Sequence, residues 1–217
     1  MATNPPLYGS DQSRFARYLE RRETQNPDPV ALELRRRLIA GLRGRVLEVG
    51  CGDGRNFQHY PPTVSRVLAI EPDPNAHAVA TERAAEARVP IEVLAGVASP
   101  LPAEDASFDA AVLVWVLCSV PDPAAALQEL RRVLVPGGEL RFYEHVRSGN
   151  ATFHALQSAG DALFWTRALG GCETTRDSVR EIEVAGFELA SLDRGFHSST
   201  VLTITSAPYV VGVARNP

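Results

Sequence analysis

The fold of this chain is decided by residues 46–54, which read Val46-Leu47-Glu48-Val49-Gly50-Cys51-Gly52-Asp53-Gly54. The apolar run that ends at Val49 predicts a short strand over 45–49, of the kind that is buried in a sheet. Three glycines follow at alternate positions, and glycine permits both positive φ and close approach of a ligand to the backbone. The stretch therefore predicts a strand that runs directly into a ligand-binding loop.

Strands and helices alternate after this loop. Apolar runs predict further strands at 67–70, 91–94, 110–116, 139–143, 187–193 and 209–214. Periodic or alanine-rich segments predict helices from about residue 56 onward and at 75–87, 123–134, 151–168 and 175–185. This order indicates an α/β, Rossmann-like, doubly wound sheet of seven mostly parallel strands with helices on both faces. Only a loop separates the last two strands, so we expect them to form an antiparallel pair at one edge.

The amino-terminal part has a different pattern. Helical spacing of apolar residues predicts helices at 11–24 and 30–41, separated by the breaker Asn26-Pro27-Asp28-Pro29. A length of 217 residues suits one globular domain. Within it we expect residues 1–41 to form a helical cap and residues 42–217 to form the main domain.

Composition excludes some classes of partner. The net charge is −4 and the pI is about 5.8, whereas nucleic-acid binding usually needs a basic face. No segment resembles a signal peptide or approaches the ~20 apolar residues of a membrane span. We therefore expect a cytoplasmic protein that binds no nucleic acid and does not span a membrane. The sequence leaves open whether it is a monomer or a homodimer.

The cysteines predict neither a metal site nor a redox pair. Cys51, Cys118 and Cys172 are far apart in the sequence, and none belongs to a CxxC pair. A small, odd number of cysteines also suits a reducing compartment. We therefore expect no metal ion.

An acidic residue identifies two candidate cofactors for the glycine loop. Glu71 ends the second predicted strand about 20 residues after the glycines, where a carboxylate can accept hydrogen bonds from ribose hydroxyls. A dinucleotide-binding loop has the pattern Gly-x-Gly-x-x-Gly, but in this sequence Arg55 stands at the position of the third glycine. Glu48 would repel a pyrophosphate and attract a cation. The spacing therefore favours S-adenosylmethionine, whose methionine end is cationic.

Four segments together resemble the class I S-adenosylmethionine-dependent methyltransferases. VLEVGCGDG is similar to the first motif of that family, and the acid in AIEPDP is similar to its second-strand acid. LPAEDASFD and LRRVLVPGGEL resemble the segments around the fourth and fifth strands. The resemblance covers about residues 42–146 in order, and it implies a methyltransferase that uses S-adenosylmethionine.

Further segments resemble one subgroup, the methyltransferase-like 7 proteins. They are FQHYPP, VLVWVLCSVPDP, FYEHV and GCETTR. This resemblance implies methylation of small thiols. Members of the group carry an amino-terminal membrane-associating segment, which we do not find in this sequence. The ubiquinone and menaquinone biosynthesis methyltransferases share the core motifs but match the distal ones less well.

The resemblance also implies which residues line the cofactor. They are Glu48, Gly50, Cys51, Gly52, Gly54, Asn56, Glu71, Pro72, Gly96, Val97, Ala98, Val114 and Leu117. One of them departs from the family pattern, because many relatives have an aspartate that binds the adenine amino group where Val97 stands. Adenine must then be held by backbone groups, by Ser99 or by apolar packing.

His145 is the candidate general base. It follows the fifth predicted strand, and its unperturbed pKa suits proton transfer from an acceptor. Glu144 could orient it or point away, and His145 could instead cap the strand end. His197, in the loop between the last two strands, could reach the opening of the same pocket.

The remaining candidates would line the pocket of the methyl acceptor. They are Tyr8, Phe15, Trp115, Cys118, Trp165 and Arg176, together with His145 and His197. For the aromatic residues and Cys118, ordinary packing is the alternative. Thr174 or Thr175 could either line this pocket or cap the next helix.

Three functions remain open at this point. The first is methyl transfer to a small molecule, either a thiol or an apolar metabolite, or an O- or C-methyltransferase of quinone or natural-product type. The second is a cofactor-binding regulatory protein without catalysis, to which the departure at Val97 points. The third is a nucleic-acid methyltransferase, but Val116-Leu117-Cys118-Ser119 stands where such enzymes carry an Asn/Asp-Pro-Pro-Tyr/Phe motif.

Overall fold

The computed structural model describes residues 28–166, 171–198 and 201–217. Within these residues seven strands form one sheet, in the order β3-β2-β1-β4-β5-β7-β6. The strands are β1 (Gly44–Val49), β2 (Val64–Glu71), β3 (Ile91–Ala95), β4 (Phe108–Val114), β5 (Leu134–His145), β6 (Glu188–Phe196) and β7 (Pro208–Arg215).

Helices connect most of these strands. The described α-helices are α1 (Pro29–Ile39), α2 (Pro74–Ala85), α3 (Pro123–Val133), α4 (Ala151–Gly160) and α5 (Ser178–Val184). A π-helical turn at Asp161–Trp165 extends α4, and short 3₁₀ segments lie at Phe57–His59 and Val201–Ser206.

Strand pairing confirms the fold class predicted from the sequence. Strands β1 to β5 pair in parallel, which places their carboxyl ends at one edge of the sheet. Strand β7 is antiparallel to both β5 and β6, so the antiparallel pair lies at one side of the sheet. The strand order reverses between β1 and β4, and ligands of open α/β sheets bind at such a switch point.

Two apolar clusters show that both faces of the sheet are covered. Alternate residues of β1 serve opposite faces, as the pleat of a strand requires. Leu47 and Val49 join the cluster that contains Leu127 and Leu130 of α3. Val46 joins the cluster that contains Leu34, Leu38 and Ile39 of α1, together with Ala80 of α2. The predicted helices on both faces are therefore confirmed.

The helix predicted from about residue 56 is wrong. Only a single 3₁₀ turn forms, at Phe57–His59. Pro61 and Pro62 follow almost at once, and proline can neither donate the helical hydrogen bond nor leave the preceding residue helical. Phe57 and Tyr60 are instead buried against α1 and the sheet.

The helix predicted at 175–185 begins later than expected. Its cap is Asp177, whose side chain accepts a hydrogen bond from the Arg180 amide, so α5 starts at Ser178. Thr174 and Thr175 bind Asp161 and do not cap this helix. The helix predicted at 151–168 is α-helical only to Gly160, and residues 167–170 lie outside the described residues.

Helix α1 packs directly on the sheet. Leu34, Leu38 and Ile39 are buried, and Arg141 of β5 donates to the carbonyls of Leu38 and Ala40. Residues 1–27, which include the predicted helix at 11–24, lie outside the described residues. A separate covering role for residues 1–41 stays a prediction. Among the described helices, none combines the length and the apolar character needed to cross a bilayer.

Candidate active site

The glycine loop follows β1 at the predicted place. Gly50 has φ of 66°, and the amides of Gly50 and Cys51 donate to the carbonyl of Ile70 at 2.8 and 3.1 Å. A Cβ atom on Gly50 would lie 2.7 Å from Cγ2 of Val116. Glycine is therefore required here, because the loop after β1 touches the loop after β4.

Gly52 lies beside open space. Its φ is 57°, and no described protein atom lies within 4 Å of the place that a Cβ would occupy. Its amide donates to Oε2 of Glu71 at 2.8 Å, while Oε1 of Glu71 accepts from the Asp73 amide at 2.9 Å. The loop and the carboxylate thus form one rigid unit at the switch point, with room for a ligand against the backbone.

Glu48 is bound by two neighbouring side chains. Its side chain is buried, and its two oxygens accept from Nδ2 of Asn56 and from the hydroxyl of Tyr60, each at 2.7 Å. Arg35 of α1 donates to Oδ1 of Asn56 at 3.2 Å. These contacts make Glu48 the anchor of the segment behind the glycine loop. They do not place it in direct contact with a cofactor cation.

Burial raises the pKa of Glu48 to about 7, although the hydrogen bonds from Tyr60 and Asn56 act in the opposite direction. The carboxyl group therefore changes its charge near neutral pH. Burial, together with the charges of Glu48 and Glu71, raises the pKa of Cys51, so this cysteine stays a neutral thiol in the loop.

The other predicted cofactor residues lie at the same edge. Pro72 follows β2, and Gly96, Val97 and Ala98 follow β3, all of them half-buried. The Gly96 amide donates to the carbonyl of Glu71 at 3.3 Å. Contacts of these residues with adenine stay a prediction.

The loop after β4 is held by a buried carboxylate. Val114 ends β4, and Trp115 takes the positive φ of 60°. Oε1 of Glu144 accepts from the amides of Val116 and Leu117, and Oε2 accepts from the amide of Cys118, at 2.9 to 3.2 Å. Glu144 therefore points away from His145 and fixes the loop. Burial raises the pKa of Glu144, while these three backbone hydrogen bonds oppose the rise.

His145 meets two cysteines that are distant in the sequence. Its Nδ1 lies 3.8 Å from Sγ of Cys118 and 3.6 Å from Sγ of Cys172, and the two sulfurs are 3.7 Å apart. Trp115 stacks on its ring, with centroids 5.2 Å apart and an interplanar angle of 11°. Both cysteines are buried and His145 is half-buried. A hydrogen bond with Cys172 and burial raise the pKa of Cys118, which makes it a poor covalent nucleophile.

This cluster could not be found from sequence spacing. Cys118, His145 and Cys172 follow one another at separations of 27 residues, which no local metal or redox motif has. The expectation of no metal ion rested on that spacing. The fold nevertheless brings the three side chains together, because the loop after β4, the end of β5 and the segment before α5 meet at one edge.

Arg176 binds the protein itself. Its Nη1 donates to the carbonyls of Leu117 and Val120 at 2.6 and 2.7 Å, and its Nη2 pairs with Glu173. These contacts give Arg176 the role of joining the segment before α5 to the loop after β4. They do not support its expected role in the acceptor pocket.

Two polar side chains that were not predicted from the sequence also shape this edge. Nε2 of Gln157 donates to the carbonyls of Val146, Thr174 and Thr205, and its Oε1 accepts from the Ser148 amide. The other side chain is Asp161, which accepts from both threonines before α5. A glutamine that is completely buried on a helix would indicate such a linking role. Its burial, however, is visible only in the structure and not in the sequence.

The remaining predicted pocket residues are either bound elsewhere in the protein or lie outside the described residues. Nε2 of His197 lies 2.7 Å from Oδ2 of Asp28, the cap of α1, so its ring is already engaged. Tyr8 and Phe15 lie outside the described residues, as does the side chain of Trp165.

Comparison with known proteins agrees with this geometry. Residues 47–142 match the family model described as "Methyltransferase domain". The human thiol S-methyltransferase TMT1B is 35% identical over 181 residues, which cover 81% of this chain and 73% of that protein. Its counterpart from Rattus norvegicus is 38% identical over 159 residues, covering 68% of this chain and 62% of that protein. This chain thus spans about two thirds of the length of these relatives.

A solved structure shares the fold. The N-methyltransferase NodS from Bradyrhizobium japonicum, in complex with S-adenosyl-L-homocysteine, superimposes with a TM-score of 0.69 at 20% identity, covering 94% of this chain and all (100%) of that one. The fold, the glycine loop and these matches define an S-adenosylmethionine-dependent methyltransferase. More narrowly, the chain belongs to the methyltransferase family that includes the thiol S-methyltransferases TMT1A and TMT1B.

Proposed function

We propose that this enzyme transfers the methyl group of S-adenosylmethionine to the sulfur of a small thiol. One observation carries the proposal: the cofactor loop and the cluster around His145 lie side by side at the carboxyl edge of the sheet. They are joined by the contact of Gly50 with Val116. A donor site and an acceptor site in contact are what direct transfer between two bound molecules requires.

The residues of the donor site fit the cofactor. Gly52 leaves space for a ligand beside the backbone, and Glu71 is fixed at the end of β2, where it would bind the ribose hydroxyls. Trp115 adds a buried Nε1 donor without a partner among the described residues. S-adenosylmethionine, when bound, supplies a methyl group that its sulfonium already activates. The protein has only to align the acceptor with it and exclude water.

The surroundings of His145 favour a thiol over a hydroxyl acceptor. A hydroxyl needs a strong base, which a carboxylate behind the histidine commonly supports. Here Nδ1 of His145 faces two sulfurs, and the adjacent Glu144 is engaged with the backbone amides of the loop after β4. A thiol with a pKa of ~8.5 already ionises in part near neutral pH. The names of the relatives point to the same substrate class.

Matched acceptors test the proposal. The 217-residue chain is incubated with S-adenosylmethionine and with each member of two pairs, thiophenol with phenol and 2-mercaptoethanol with ethylene glycol. Formation of S-adenosylhomocysteine is then followed. We expect each thiol to react at least about tenfold faster than its oxygen analogue, because the thiol ionises more readily. Equal rates for the members of each pair would contradict the assignment of a thiol.

Cofactor binding is measured in parallel by calorimetry. Normal binding of S-adenosylhomocysteine without turnover of any thiol, phenol, amine or quinol would favour the alternative of a regulatory protein without catalysis. Our predictions for assembly and location are a monomer or homodimer in the cytoplasm, without a nucleic-acid partner. Light scattering, cell fractionation and a nucleic-acid binding assay test these predictions.

A further inference from the structure

We propose that Cys118, His145 and Cys172 bind one Zn²⁺ ion and leave its fourth coordination position for the acceptor thiol. The three side chains supply two sulfur ligands and one imidazole nitrogen, and their ligand atoms lie within 4.8 Å of one another. Cys₂His with an open fourth position is an established arrangement of catalytic zinc sites in other proteins.

The distances fit a tetrahedral ion. Zinc lies about 2.3 Å from cysteine sulfur and about 2.0–2.1 Å from histidine nitrogen, so tetrahedral angles require separations of about 3.8 Å between sulfurs and about 3.5 Å between sulfur and nitrogen. The observed separations are 3.7 Å between the sulfurs and 3.6 and 3.8 Å from sulfur to Nδ1. The three atoms are thus placed as three corners of such a site. A disulfide would instead need the two sulfurs at about 2.05 Å.

The backbone around each sulfur is held by hydrogen bonds within the protein. The Cys118 amide donates to Glu144, and the Cys118 carbonyl accepts from the Glu173 amide at 2.7 Å. On the other side, Gln157 and Asp161 anchor the segment that follows Cys172. Trp115 stacks on the ring of His145 and fixes its plane. Supporting contacts of this kind are what orient the ligands of a metal site.

The cluster is partly accessible at His145. Cys118 and Cys172 are buried, whereas His145 is the half-buried member of the cluster. The loop that carries Cys118 also touches the glycine loop through Val116 and Gly50. A molecule bound at the fourth position would therefore lie next to the donor site.

This placement suggests a chemical role, which rests on the thiol acceptor proposed above. An acceptor RSH binds Zn²⁺ as the thiolate and releases its proton to solvent. The sulfur then forms a bond to the methyl carbon, while the bond between that carbon and the sulfonium sulfur breaks and its electron pair stays on the departing S-adenosylhomocysteine. The methylated thioether is a weaker ligand and dissociates. In this arrangement His145 is a metal ligand and not a general base.

The metal site is tested without reference to activity. The reduced 217-residue chain is treated with a chelator, and Zn²⁺ or Co²⁺ is added back under exclusion of oxygen. We expect about one equivalent of zinc per chain and, with cobalt, the sulfur-to-cobalt charge-transfer and ligand-field bands of a tetrahedral site. The variants Cys118→Ser, Cys172→Ser and His145→Gln should weaken binding by at least about 100-fold, because even changes behind the ligands cost about 10- to 100-fold.

Cys51→Ser is the matched control, since it removes a buried thiol outside the cluster and should keep the ion. Circular dichroism confirms that each variant is folded. The unaltered chain gives a second measurement, in which bound zinc should protect Cys118 and Cys172 but not Cys51 from alkylation in mild denaturant. Substoichiometric zinc, equal loss of zinc in all cysteine variants or unchanged alkylation would each overturn the metal site.

The two proposals fail in different ways. Thiol methylation at full rate by a zinc-free chain would overturn the role of zinc in the reaction and leave the thiol acceptor intact. Stoichiometric zinc with no turnover of any thiol would overturn the thiol acceptor and leave the metal site intact.

Discussion

At the scale of single residues, the buried carboxylates of the site have separate tasks. Glu71 joins the glycine loop to β2, Glu48 anchors Asn56 and Tyr60, and Glu144 holds the loop after β4. Each accepts hydrogen bonds that a neutral apolar residue could not. The electrostatic consequences can be stated for two of them: burial raises the pKa of Glu48 to about 7, and it raises the pKa of Glu144 against three opposing backbone hydrogen bonds.

Glu48 makes stability depend on pH in an unusual direction. Its folded-state pKa of about 7 lies above the ordinary 4.5, so the folded chain keeps a proton that the unfolded chain loses between these values. The free energy of unfolding should therefore fall as pH rises from 4.5 to 7, by up to about 3 kcal/mol from this group. In Glu48→Gln that component should disappear, which urea unfolding at pH 5, 6, 7 and 8 can measure.

Glu129→Gln is the control for this experiment. The hydrogen bond from Arg132 lowers the pKa of Glu129 to about 2, so its contribution is lost only as pH falls below the ordinary range. This control should leave the slope between pH 5 and 8 unchanged. Parallel profiles for Glu48→Gln and the original chain would show that Glu48 does not titrate as described.

Gly52 and Gly137 form a matched pair for testing the cofactor loop. Both have positive φ, at 57° and 79°, and neither would bring a new Cβ within 4 Å of a described atom. Replacement of either by alanine should cost about 1–2 kcal/mol of stability through backbone strain. Gly52→Ala alone should weaken S-adenosylhomocysteine binding, by about tenfold or more, because its Cβ enters the space assigned to the ligand. Calorimetry and urea unfolding separate the two effects, and equal affinities in both variants would remove Gly52 from the site.

Residues of the proposed site can be predicted from the sequence where the backbone has a local signature. Gly50, Gly52 and Glu71 follow from one loop and one spacing. The cluster of Cys118, His145 and Cys172 has no such signature, because three separate connections bring it together.

At the scale of elements, α1 begins at a residue with two partners. Asp28 accepts from the amides of Val30 and Ala31 and also pairs with His197, which lies between β6 and β7. Burial raises the pKa of Asp28, but its hydrogen bonds, that of His197 foremost, more than offset this effect and hold it below its usual value. Asp28 therefore links the start of α1 to the segment that follows β6.

Two asparagine variants separate the cap from the ion pair. Asp28→Asn should cost about 0.5–1 kcal/mol through the loss of the pair with His197, because asparagine caps a helix about as well as aspartate. Asp122→Asn should change stability by less than about 0.5 kcal/mol, since Asp122 caps α3 through the Ala125 amide and forms no ion pair with a described residue. Urea unfolding at low and high salt measures both. A cost for Asp28→Asn that does not shrink with salt would contradict an electrostatic link.

Helix α4 holds three connections through Gln157. This buried side chain bonds the segment after β5, the segment before α5 and the 3₁₀ segment before β7. Gln157→Met keeps similar volume but leaves several buried backbone groups unpaired, so we expect a loss of about 2–4 kcal/mol. The exposed Gln128 of α3 provides the control, and Gln128→Met should change stability by less than about 0.5 kcal/mol. Thermal unfolding compares the two variants, and similar costs would deny Gln157 its linking role.

A helix or strand could be predicted from the sequence where residues close to its ends in the sequence determine where it begins and ends. The strands followed from apolar runs and α3 from its period, whereas the helix expected after residue 56 was stopped by Pro61 and Pro62. The start of α5 was misplaced because Thr174 and Thr175 are bound by Asp161, a contact across 13 and 14 residues.

At the scale of the whole molecule, the proposed donor and acceptor sites both lie where loops meet at the carboxyl edge of the sheet, and they border the two apolar clusters through Cys51, Val116 and Leu117. The clusters cover the two faces of the sheet and fix the strands, so the strand ends supply a rigid edge. The loops at this edge are held by hydrogen bonds to Glu71 and Glu144 and by the contacts of Gln157 and Arg176. Ligand binding at this edge should therefore stabilise the entire fold, because the loops cannot bind the cofactor once the sheet has unfolded.

The size of that stabilisation can be predicted. At 100 times its dissociation constant, S-adenosylhomocysteine should add about 2.7 kcal/mol to the free energy of unfolding. For a domain of this size each kcal/mol corresponds to about 2–4 °C, so Tm should rise by about 5–10 °C. Differential scanning calorimetry measures the shift. Gly52→Ala at the same ligand concentration should show a smaller rise and Gly137→Ala the full one, because only the first substitution lies in the cofactor loop. A full rise in both variants would show that the ligand stabilises the fold from a site other than the glycine loop.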